Sequence, residues 1–388
     1  MAESAMQRIY AVYPVYAATS GASYACQRIL EAMDLSGVAM ALYCVAADKH
    51  MNRHYHRLTL PGWARSIGYR LLSNDFLVKL TEWRYLSSLT RDEVAYIWPG
   101  TQLATFQKAK LKGCVVVAEN INTHQSASRR ILDQEYKRLG LVPTHGISEQ
   151  NGAVESEKLE YVDYVFSPSP AVTQSLMDAN IGLEKIIPCS YGLSESDLID
   201  SSSADRSARD SKFVAIFVGR IGIRKGVHLL LDYWVKSGVQ GTLKLVGNIE
   251  ADARHLIEPY LARPDIQHVG YCKDLRPLYQ EADVFLFPSL EEGSPLVTYL
   301  SLGAGLPAVV SPMGAGGVIR DGIDGVVLEP VDEEGWIAAL RNMVSDPRYR
   351  ARLGENARSN AEEYLWDRVG KRRLDALNQR IGSLGGRR

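Results

Sequence analysis

The sequence has 388 residues, of which 46% are hydrophobic and 23% charged, and its formal net charge is -1. A chain of this length is too long for one ordinary hydrophobic core and suits two domains of roughly 150 to 200 residues each. The balanced charge gives no global reason to expect nucleic acid as a partner. Five dispersed cysteines without a C-x-x-C pair argue against both a disulfide framework and a zinc site.

The amino-terminal stretch "MAESAMQRIYAVYPVY" does not have the basic segment and long apolar run of a secretory signal. No apolar run anywhere reaches the roughly 18 residues that a membrane-spanning helix needs. The sequence therefore predicts a cytoplasmic protein that does not span a membrane.

Short β-branched runs alternate with amphipathic segments through the first half of the chain. These runs are 9–15, 38–46, 94–98, 114–118, 164–169 and 185–192. Such a βα rhythm predicts a parallel sheet covered by helices. The polar, serine-rich stretch 193–212 has no periodicity and is typical of a linker.

The same rhythm restarts after this linker. Its β-branched runs are 213–219, 242–247, 266–271, 283–289, 307–312 and 325–330, with helical patterns at 226–237 and 332–344, and the tail 362–381 has the apolar spacing of a closing helix. We therefore predict an α/β fold of two doubly wound, Rossmann-like domains that face a cleft. The predicted division is a first domain 1–192, a linker 193–212, a second domain 213–360, and a carboxy-terminal helix 361–388 that crosses back to the first domain.

The first predicted strand of the second half leads into the loop "GRIGIRKG", Gly219 to Gly226. Arg220 and Lys225 then lie at the carboxyl end of a parallel strand, where doubly wound sheets bind ligands. A guanidinium and an ammonium at that place suit a diphosphate. The alternative is a solvated basic turn that leads into a helix. Arg224 is expected to face solvent.

The segment "FLFPSLEEGSPLVTYLSLGAGLP" places Glu292 and a Gly293–Ser294–Pro295 turn directly after a buried strand. The apolar stretch behind the turn is typical of a helix start, whose free N–H groups and positive dipole end face an anion. Glu292 would then accept hydrogen bonds from the hydroxyls of a bound sugar. A polar helix cap without a ligand is the alternative.

The order of these motifs resembles the carboxy-terminal, donor-binding domain of family-4 glycosyltransferases of GT-B fold. The motifs are "VGR-x4-KG", "LVG", "VGY", "ADVFLFPS-x2-EGSPLV", "GLPAVVSP" and "IRDGIDGVVLEP", and they cover roughly 213–345. The first half of the chain and the "WDRV" of the tail fit the same two-domain plan.

The resemblance implies a retaining, metal-independent transfer of a hexose from a UDP- or GDP-linked donor, without a separate cofactor. It assigns Arg220 and Lys225 to the donor diphosphate and Glu292 to the first acid of the family's E-x7-E motif. The catalytic residues that it implies are Arg220, Lys225, Glu292 and His124. The donor-binding positions that it implies are Gly21, Gly219, Arg220, Lys225, Gly247, Tyr271, Glu292, Gly293, Ser294, Pro295, Leu296 and Val297.

The second acid of that motif, which in relatives hydrogen-bonds the nucleotide ribose, falls on Leu300. Leucine accepts no hydrogen bond, and an unsatisfied partner costs on the order of 1 to 3 kcal/mol. The departure predicts weaker donor binding with the diphosphate contacts left in place. Thr298 or Tyr299 could supply a hydroxyl instead, although a helix points them to other faces.

Two positions in the first half also match family features. Gly21 lies in a loop between a predicted strand and helix, where the family has a glycine-rich loop near the acceptor and the donor phosphates; a plain βα turn is the alternative. His124 resembles a histidine that contacts the acceptor or donor sugar in some relatives, and its ring could share a proton. A helix-start or surface histidine is the competing interpretation.

The stretch 48–86 interleaves basic residues with aromatic ones. Its basic residues include Lys49, Arg53, Arg57, Arg65, Arg70, Lys79 and Arg84. It is either a solvated face with a few packing aromatics, or a surface that rests on an anionic bilayer or meets a lipid pyrophosphate acceptor. The second alternative would place the protein peripherally at the inner face of a membrane.

The absence of several sequence motifs argues against other classes of nucleotide-binding protein. No D-x-D pair is present, which argues against a metal-dependent GT-A transferase, and neither a P-loop nor a full dinucleotide-binding spacing is found.

The favoured interpretation is a glycosyltransferase that moves a hexose to a saccharide or lipid-linked acceptor in polysaccharide or cell-envelope glycan synthesis. Nucleic acid is not expected as a partner, and the oligomeric state stays open. The alternatives are a catalytically degenerate nucleotide-sugar-binding protein, suggested by Leu300, and a sugar phosphorylase or nucleotide-sugar epimerase.

Overall fold

The computed structural model describes residues 8–48, 53–199 and 212–385. The larger part of the predicted linker, residues 200–211, lies outside the described residues, as does Lys49 of the basic stretch. Two large parallel sheets with helices packed against them make up the described chain. The prediction of two doubly wound α/β units is confirmed.

The first sheet has seven parallel strands in the order β5-β3-β1-β6-β7-β8-β9. Its strands are β1 (Arg8–Val12), β3 (Ala39–Cys44), β5 (His56–Leu58), β6 (Val94–Ile97), β7 (Val115–Glu119), β8 (Tyr164–Ser167) and β9 (Ile186–Pro188), while β2 (Tyr16–Ala17) and β4 (Ala46–Ala47) form a separate parallel pair. The winding of the chain reverses between β1 and β6, which are neighbours in the sheet.

The second sheet has six parallel strands in the order β12-β11-β10-β13-β14-β15. Its strands are β10 (Phe213–Val218), β11 (Gly241–Val246), β12 (Ile266–Gly270), β13 (Val284–Phe287), β14 (Ala308–Val310) and β15 (Gly325–Val327). Here the winding reverses between β10 and β13, which pair through Ala215 and Val284. Both sheets therefore have a topological switch point near their centre.

The central strands are hydrophobic at consecutive positions because helices cover both of their faces. All four residues of β13 are buried, as are five of the six residues of β10. Because these hydrophobic runs are continuous, the strands could be predicted from the sequence.

Helices connect the strands of both sheets. With the first sheet they are Gly21–Leu35, Arg65–Leu71, Asn74–Ser88, Leu103–Leu111, Gln125–Arg138, Glu149–Glu160 and Pro170–Asp178. With the second they are Val227–Ser237, Arg254–Leu261, Arg276–Glu281, Leu296–Gly303, Pro312–Ala315, Glu333–Ser345, Pro347–Ala361 and Trp366–Gly385. Within residues 8–48, 53–199 and 212–385, no helix combines the length and apolar character needed to cross a bilayer.

The tail helix Trp366–Gly385 packs on the first unit, against the helix Gly21–Leu35. Gly370 permits the close approach, since a methyl group there would overlap Ala32. Further along, the fully buried Arg373 makes two hydrogen bonds of 2.8 and 3.1 Å to the Glu119 carboxylate at the end of β7. The last helix of the described chain thus completes the core of the first unit.

Candidate functional site

The switch point of the second sheet brings together two loops that are far apart in sequence. Gly219–Gly226 follows β10, and the segment from Pro288 to Pro295 follows β13. They are joined by a 3.0 Å hydrogen bond from the Leu290 amide to the Arg224 carbonyl oxygen. In doubly wound sheets the crevice at such a point is where ligands bind, so these loops form the candidate site.

Two glycines let the basic loop Gly219–Gly226 pack closely against the loops beside it. Gly226 has a φ of +65°, and a Cβ there would overlap the Pro288 carbonyl group. Gly247, at the end of β11, has a φ of +142°, and a Cβ there would overlap the carbonyl oxygen of Gly219. A side chain at either position would push the basic loop out of its place.

Lys225 and Glu292, both predicted site residues, form an ion pair inside the crevice. Both side chains are mostly buried, and the Ser289 hydroxyl donates a 3.3 Å hydrogen bond to the same Glu292 oxygen. Burial lowers the pKa of Lys225, while the nearby Glu292 charge acts to raise it. The pair therefore places the Lys225 ammonium where it can bind an anion. When it does so, the Glu292 carboxylate is free to accept a hydrogen bond from a ligand hydroxyl.

Arg220, the other predicted phosphate ligand, lies at the rim of the crevice. Its side chain is 80% exposed, and its nearest acidic partner is Glu250 at 3.5 Å. Such an exposed pair is weak, so the guanidinium is free to turn toward a ligand.

Arg224 does not simply face solvent, and that expectation is wrong. Its guanidinium pairs with the buried Glu291 at 2.6 Å. The other oxygen of this carboxylate accepts hydrogen bonds from the hydroxyls of Thr123 (2.8 Å) and Ser128 (3.1 Å), which belong to the first unit. The residue beside the predicted acid therefore connects the basic loop to the opposite side of the cleft.

The start of the helix Leu296–Gly303 has no side-chain cap. The Thr298 amide donates a 3.0 Å hydrogen bond to the Pro295 carbonyl oxygen, which leaves the amides of Leu296 and Val297 as the first-turn donors for an anion, and the helix dipole adds positive charge there. Gly293, just before it, touches the first unit so closely that a Cβ would overlap the Ile121 carbonyl group. The Ser294 hydroxyl is already bonded to the Tyr299 hydroxyl at 2.7 Å.

Leu300 lies half-buried on this helix and lines a cavity of about 130 Å³ together with Asp274 and Arg276. Neither neighbouring hydroxyl replaces an acid there. Thr298 donates a 2.8 Å hydrogen bond to the Gly314 carbonyl oxygen, and the Tyr299 hydroxyl accepts one of 3.0 Å from the amide of Tyr191.

The two remaining predicted positions lie at the ends of loops. Tyr271 follows β12 and is largely exposed, on the segment that leads to the cavity at Leu300. Gly21 is exposed at the first position of the helix Gly21–Leu35, with a φ of +60° and open space on the side where a Cβ would lie.

His124 caps the helix Gln125–Arg138 and is only 1% exposed. Its Nδ1 accepts a 3.3 Å hydrogen bond from the amide of Ser126, which leaves the proton on Nε2, 3.2 Å from the hydroxyl of Ser156. Burial lowers the pKa of His124, which favours the neutral form of the ring. Both ring nitrogens are therefore bonded to groups of the first unit, and this geometry favours the helix-start interpretation over a role in proton transfer.

Glu155, on the helix Glu149–Glu160, was not identified from the sequence. Its carboxylate lies 3.8 Å from the ring of His124 and accepts a 2.6 Å hydrogen bond from the amide of Gln125. Burial raises its pKa to about 7, with Lys158 acting in the opposite direction. No sequence signal distinguishes it, because the neighbouring Ser156, Glu157 and Lys158 give it the appearance of a solvated helix face.

Within the described residues, no group of three or more His, Cys, Asp and Glu side chains is arranged to hold a metal ion.

Comparison with known proteins shows that the chain is similar to glycosyltransferases. A sequence profile described as "Glycosyl transferases group 1" matches residues 199–360. The chain is 31% identical over 254 residues to a D-inositol 3-phosphate glycosyltransferase of Salinispora tropica, a match that covers 61% of this chain and 52% of the relative. It is 22% identical over 226 residues to the capsular polysaccharide biosynthesis glycosyltransferase CapM of Staphylococcus aureus, covering 53% and 60%. The chain thus spans about half of the length of these relatives.

Two solved structures share the fold over almost the whole chain. Sucrose-phosphate synthase from Thermosynechococcus elongatus superposes with a TM-score of 0.71 at 17% identity, covering 97% of this chain and all of the other. Anabaena HepE in complex with UDP and glucose superposes with a TM-score of 0.69 at 15% identity, covering 96% and 100%. At these identities the likeness concerns the arrangement of the two units.

Proposed function

Because residues 199–360 form a group 1 glycosyl transferase domain and the chain has the GT-B fold, we propose that the protein transfers a hexose from a nucleotide-diphosphate sugar. The acceptor is a saccharide or a lipid-linked saccharide, and the setting is polysaccharide or cell-envelope glycan synthesis. The observation that carries the proposal is the Lys225–Glu292 pair, which lies in the switch-point crevice near the uncapped start of the helix Leu296–Gly303.

The donor diphosphate binds between Lys225, Arg220 and the first amides of that helix. An arriving phosphate competes with Glu292 for the Lys225 ammonium, and the released carboxylate accepts hydrogen bonds from the donor sugar. Arg220 folds in from the rim to add a second charge-assisted contact. These groups bind the donor before any bond is broken.

The same cations lower the barrier for the transfer itself. As the bond between the anomeric carbon and the phosphate oxygen breaks, the sugar becomes oxocarbenium-like and negative charge grows on the leaving diphosphate. Preorganised positive groups stabilise that charge more than they stabilise the intact donor. Because both ring nitrogens of His124 are occupied, the leaving phosphate oxygen is the group that accepts the proton of the acceptor hydroxyl. Retention of the anomeric configuration and independence of a metal belong to the proposal as what the family resemblance implies.

Closure of the cleft excludes water, which would otherwise hydrolyse the donor. The hydrogen bonds from Thr123 and Ser128 to Glu291 join the two units across the cleft. The names of the relatives support the substrate class: HepE was solved with UDP and glucose, and CapM acts in capsular polysaccharide biosynthesis.

A second candidate, a nucleotide-sugar-binding protein without turnover, is favoured by one observation. Leu300 stands where the resemblance places the ribose-binding acid, and Thr298 and Tyr299 use their hydroxyls elsewhere. The two candidates differ in turnover and not in donor binding.

Calorimetric titration with UDP-, GDP- and ADP-hexoses, followed by an assay for donor hydrolysis with and without chelator, tests the proposal. We expect one nucleotide class to bind and to be slowly hydrolysed, and Arg220→Ala to weaken binding about tenfold or more. Arg254→Ala, an exposed arginine paired with Glu258 in the same unit, is the matched control and should bind as the wild type does. Tight binding without hydrolysis or transfer to candidate acceptors would establish the second candidate, and no binding by any donor would overturn both.

A further inference from the structure

Apolar side chains are exposed along a short part of the first unit. Within the described residues, seven of the fifteen exposed large hydrophobic side chains lie between Trp63 and Trp83. Trp63 is 84% exposed and Leu71 is 77% exposed. Concentrated exposure of this kind marks an interaction site more often than scattered exposure does. We call residues 63–83 the docking surface.

The spacing of these side chains places them on outward helix faces. Ile67 and Leu71 are four residues apart on the helix Arg65–Leu71, and Trp63 lies in the turn just before that helix. On the next helix, Asn74–Ser88, Phe76 and Trp83 are seven residues apart and so share a face.

The opposite face of this second helix supplies its packing. Leu77, Thr81 and Tyr85 are buried there. The exposed aromatic rings are therefore additional to the contacts that hold the helix in place, and the fold does not need them.

The docking surface lies in a locally cationic part of the chain. Residues 53–86 contain six Arg or Lys and two acidic residues, while the whole chain has a net charge of -1. One of the two acids, Glu82, is buried and accepts hydrogen bonds from Thr105 and the amide of Gln102. The other, Asp75, pairs with Lys79. Among the arginines, Arg53 pairs with Glu31 at 2.9 Å and the half-buried Arg84 donates to the Leu58 carbonyl oxygen. The outward charge is therefore mainly that of Arg57, Arg65 and Arg70.

Indole and aliphatic side chains beside arginines suit the boundary between lipid headgroups and acyl chains. The apolar groups enter the hydrocarbon edge, while the guanidinium groups stay at the level of anionic phosphates. We propose that the docking surface binds the protein peripherally to an anionic phospholipid bilayer.

The docking surface adjoins the ligand-binding edge of the first sheet. A cavity of about 610 Å³ lies between its helices and the loop that follows β1, and its lining includes Val15, Tyr16, Tyr69 and Leu77. Because that loop is at the switch point of the first sheet, a docked bilayer would lie beside the side of the cleft opposite the Lys225 site. The bilayer contact itself does not depend on the proposed transfer activity.

Vesicle flotation with the full chain tests the proposal. We expect it to float with vesicles of phosphatidylcholine containing 30% phosphatidylglycerol, not with phosphatidylcholine alone, and to be released by salt. The double substitution Trp63→Ser and Leu71→Ser should reduce partitioning about tenfold or more, and Arg70→Ser about fivefold. The control is the pair Leu111→Ser and Val142→Ser, which changes equally exposed apolar residues elsewhere and should leave partitioning unchanged.

Tryptophan fluorescence gives an independent measurement. Four of the six tryptophans are buried, so lipids brominated near the headgroup should quench mainly the emission of Trp63 and Trp83. Circular dichroism confirms that each variant is folded, and donor titration confirms that the crevice is intact. The proposal is overturned if the wild type does not float with anionic vesicles and its tryptophan emission is not quenched by brominated lipids. It is overturned as well if the double variant floats to the same extent as the wild type. It is also overturned if the docking-surface variant instead converts a dimer to a monomer, because the surface would then bind a second copy of the chain.

Discussion

Thr123 and Glu291 are 168 residues apart in sequence, yet the Thr123 hydroxyl donates a 2.8 Å hydrogen bond to Glu291 Oε1 across the cleft. The second oxygen of the same carboxylate pairs with Arg224 on the basic loop. One buried acid therefore links the closure of the cleft to the loop that carries the proposed donor cations.

Replacing Thr123 by valine removes this bond with little change in shape. We expect the free energy of unfolding to fall by about 1 to 3 kcal/mol, because the buried carboxylate loses a donor. Urea denaturation measures the change. The control is Thr144→Val, which removes an exposed 2.9 Å hydrogen bond to Asp252 across the same cleft and should cost no more than about 0.5 kcal/mol. Equal losses in the two variants would contradict a special role for Glu291.

Introducing an acid at Leu300 should strengthen donor binding. If Leu300 stands where relatives hold the ribose, Leu300→Glu restores a hydrogen-bond acceptor and improves affinity about tenfold to a hundredfold. Leu300→Met keeps the apolar shape and should bind as the wild type does. Calorimetry with the preferred nucleotide sugar measures both, and an unchanged or weaker affinity for the glutamate variant would show that the position was misassigned.

Gly226 and Gly238 form a matched pair, because both have a φ of +65°. An alanine at Gly238 meets nothing within 4 Å, so it should cost only the left-handed strain of about 1 to 2 kcal/mol. An alanine at Gly226 overlaps the Pro288 carbonyl group as well, and should both destabilise the fold further and displace Lys225. We expect donor affinity to fall at least about tenfold in Gly226→Ala and to stay constant in Gly238→Ala. Thermal melts and donor titration separate the two effects, and similar behaviour of both variants would count against the packed loop.

The buried Glu155 makes the stability of the fold depend on pH, and its raised pKa fixes the sign of that dependence. Burial raises its pKa to about 7 from an ordinary value of 4.5, so the folded state binds its proton more tightly than the unfolded state does. The stability that it contributes is present at low pH and is lost as the pH rises toward 7. The loss amounts to about 3 kcal/mol by pH 8.

Glu155→Gln removes this titration while retaining an oxygen that accepts from the Gln125 amide. The variant should match the wild type near pH 5 and be more stable by up to about 3 kcal/mol at pH 8. Urea denaturation at both pH values gives the difference in unfolding free energy between the variant and the wild type. Because both proteins contain His124 and Lys158, the contributions of these neighbours largely cancel in that difference. A difference that does not change with pH would mean that Glu155 ionises normally.

The strands were predictable because their hydrophobic runs are continuous. The run 213–219 became β10 at Phe213–Val218, and the run 283–289 became β13 at Val284–Phe287. What the pattern could not give is the order of the strands, and hence that the loop with Lys225 lies beside the turn with Glu292. The ion pair between them depends on that order.

Side-chain partners were the least predictable feature. Arg224 had the appearance of a solvated residue in a basic loop, and only the packing of two units reveals the buried Glu291 that pairs with it. His124 matched a family position in sequence, but its ring is used to cap a helix. Glu155 acquires its raised pKa from burial against the neighbouring helix, which no local spacing encodes.

The bond between Arg373 and Glu119 also constrains the order of events during synthesis. These residues are 254 positions apart, so on the ribosome the Glu119 carboxylate is made long before its guanidinium partner. Until the helix Trp366–Gly385 has been made, the Glu119 carboxylate has the Tyr96 hydroxyl as a partner but not the Arg373 guanidinium, and the helix Gly21–Leu35 lacks the helix that packs on it. The amino-terminal unit therefore cannot complete its core until a helix encoded after the whole donor-binding unit has been translated.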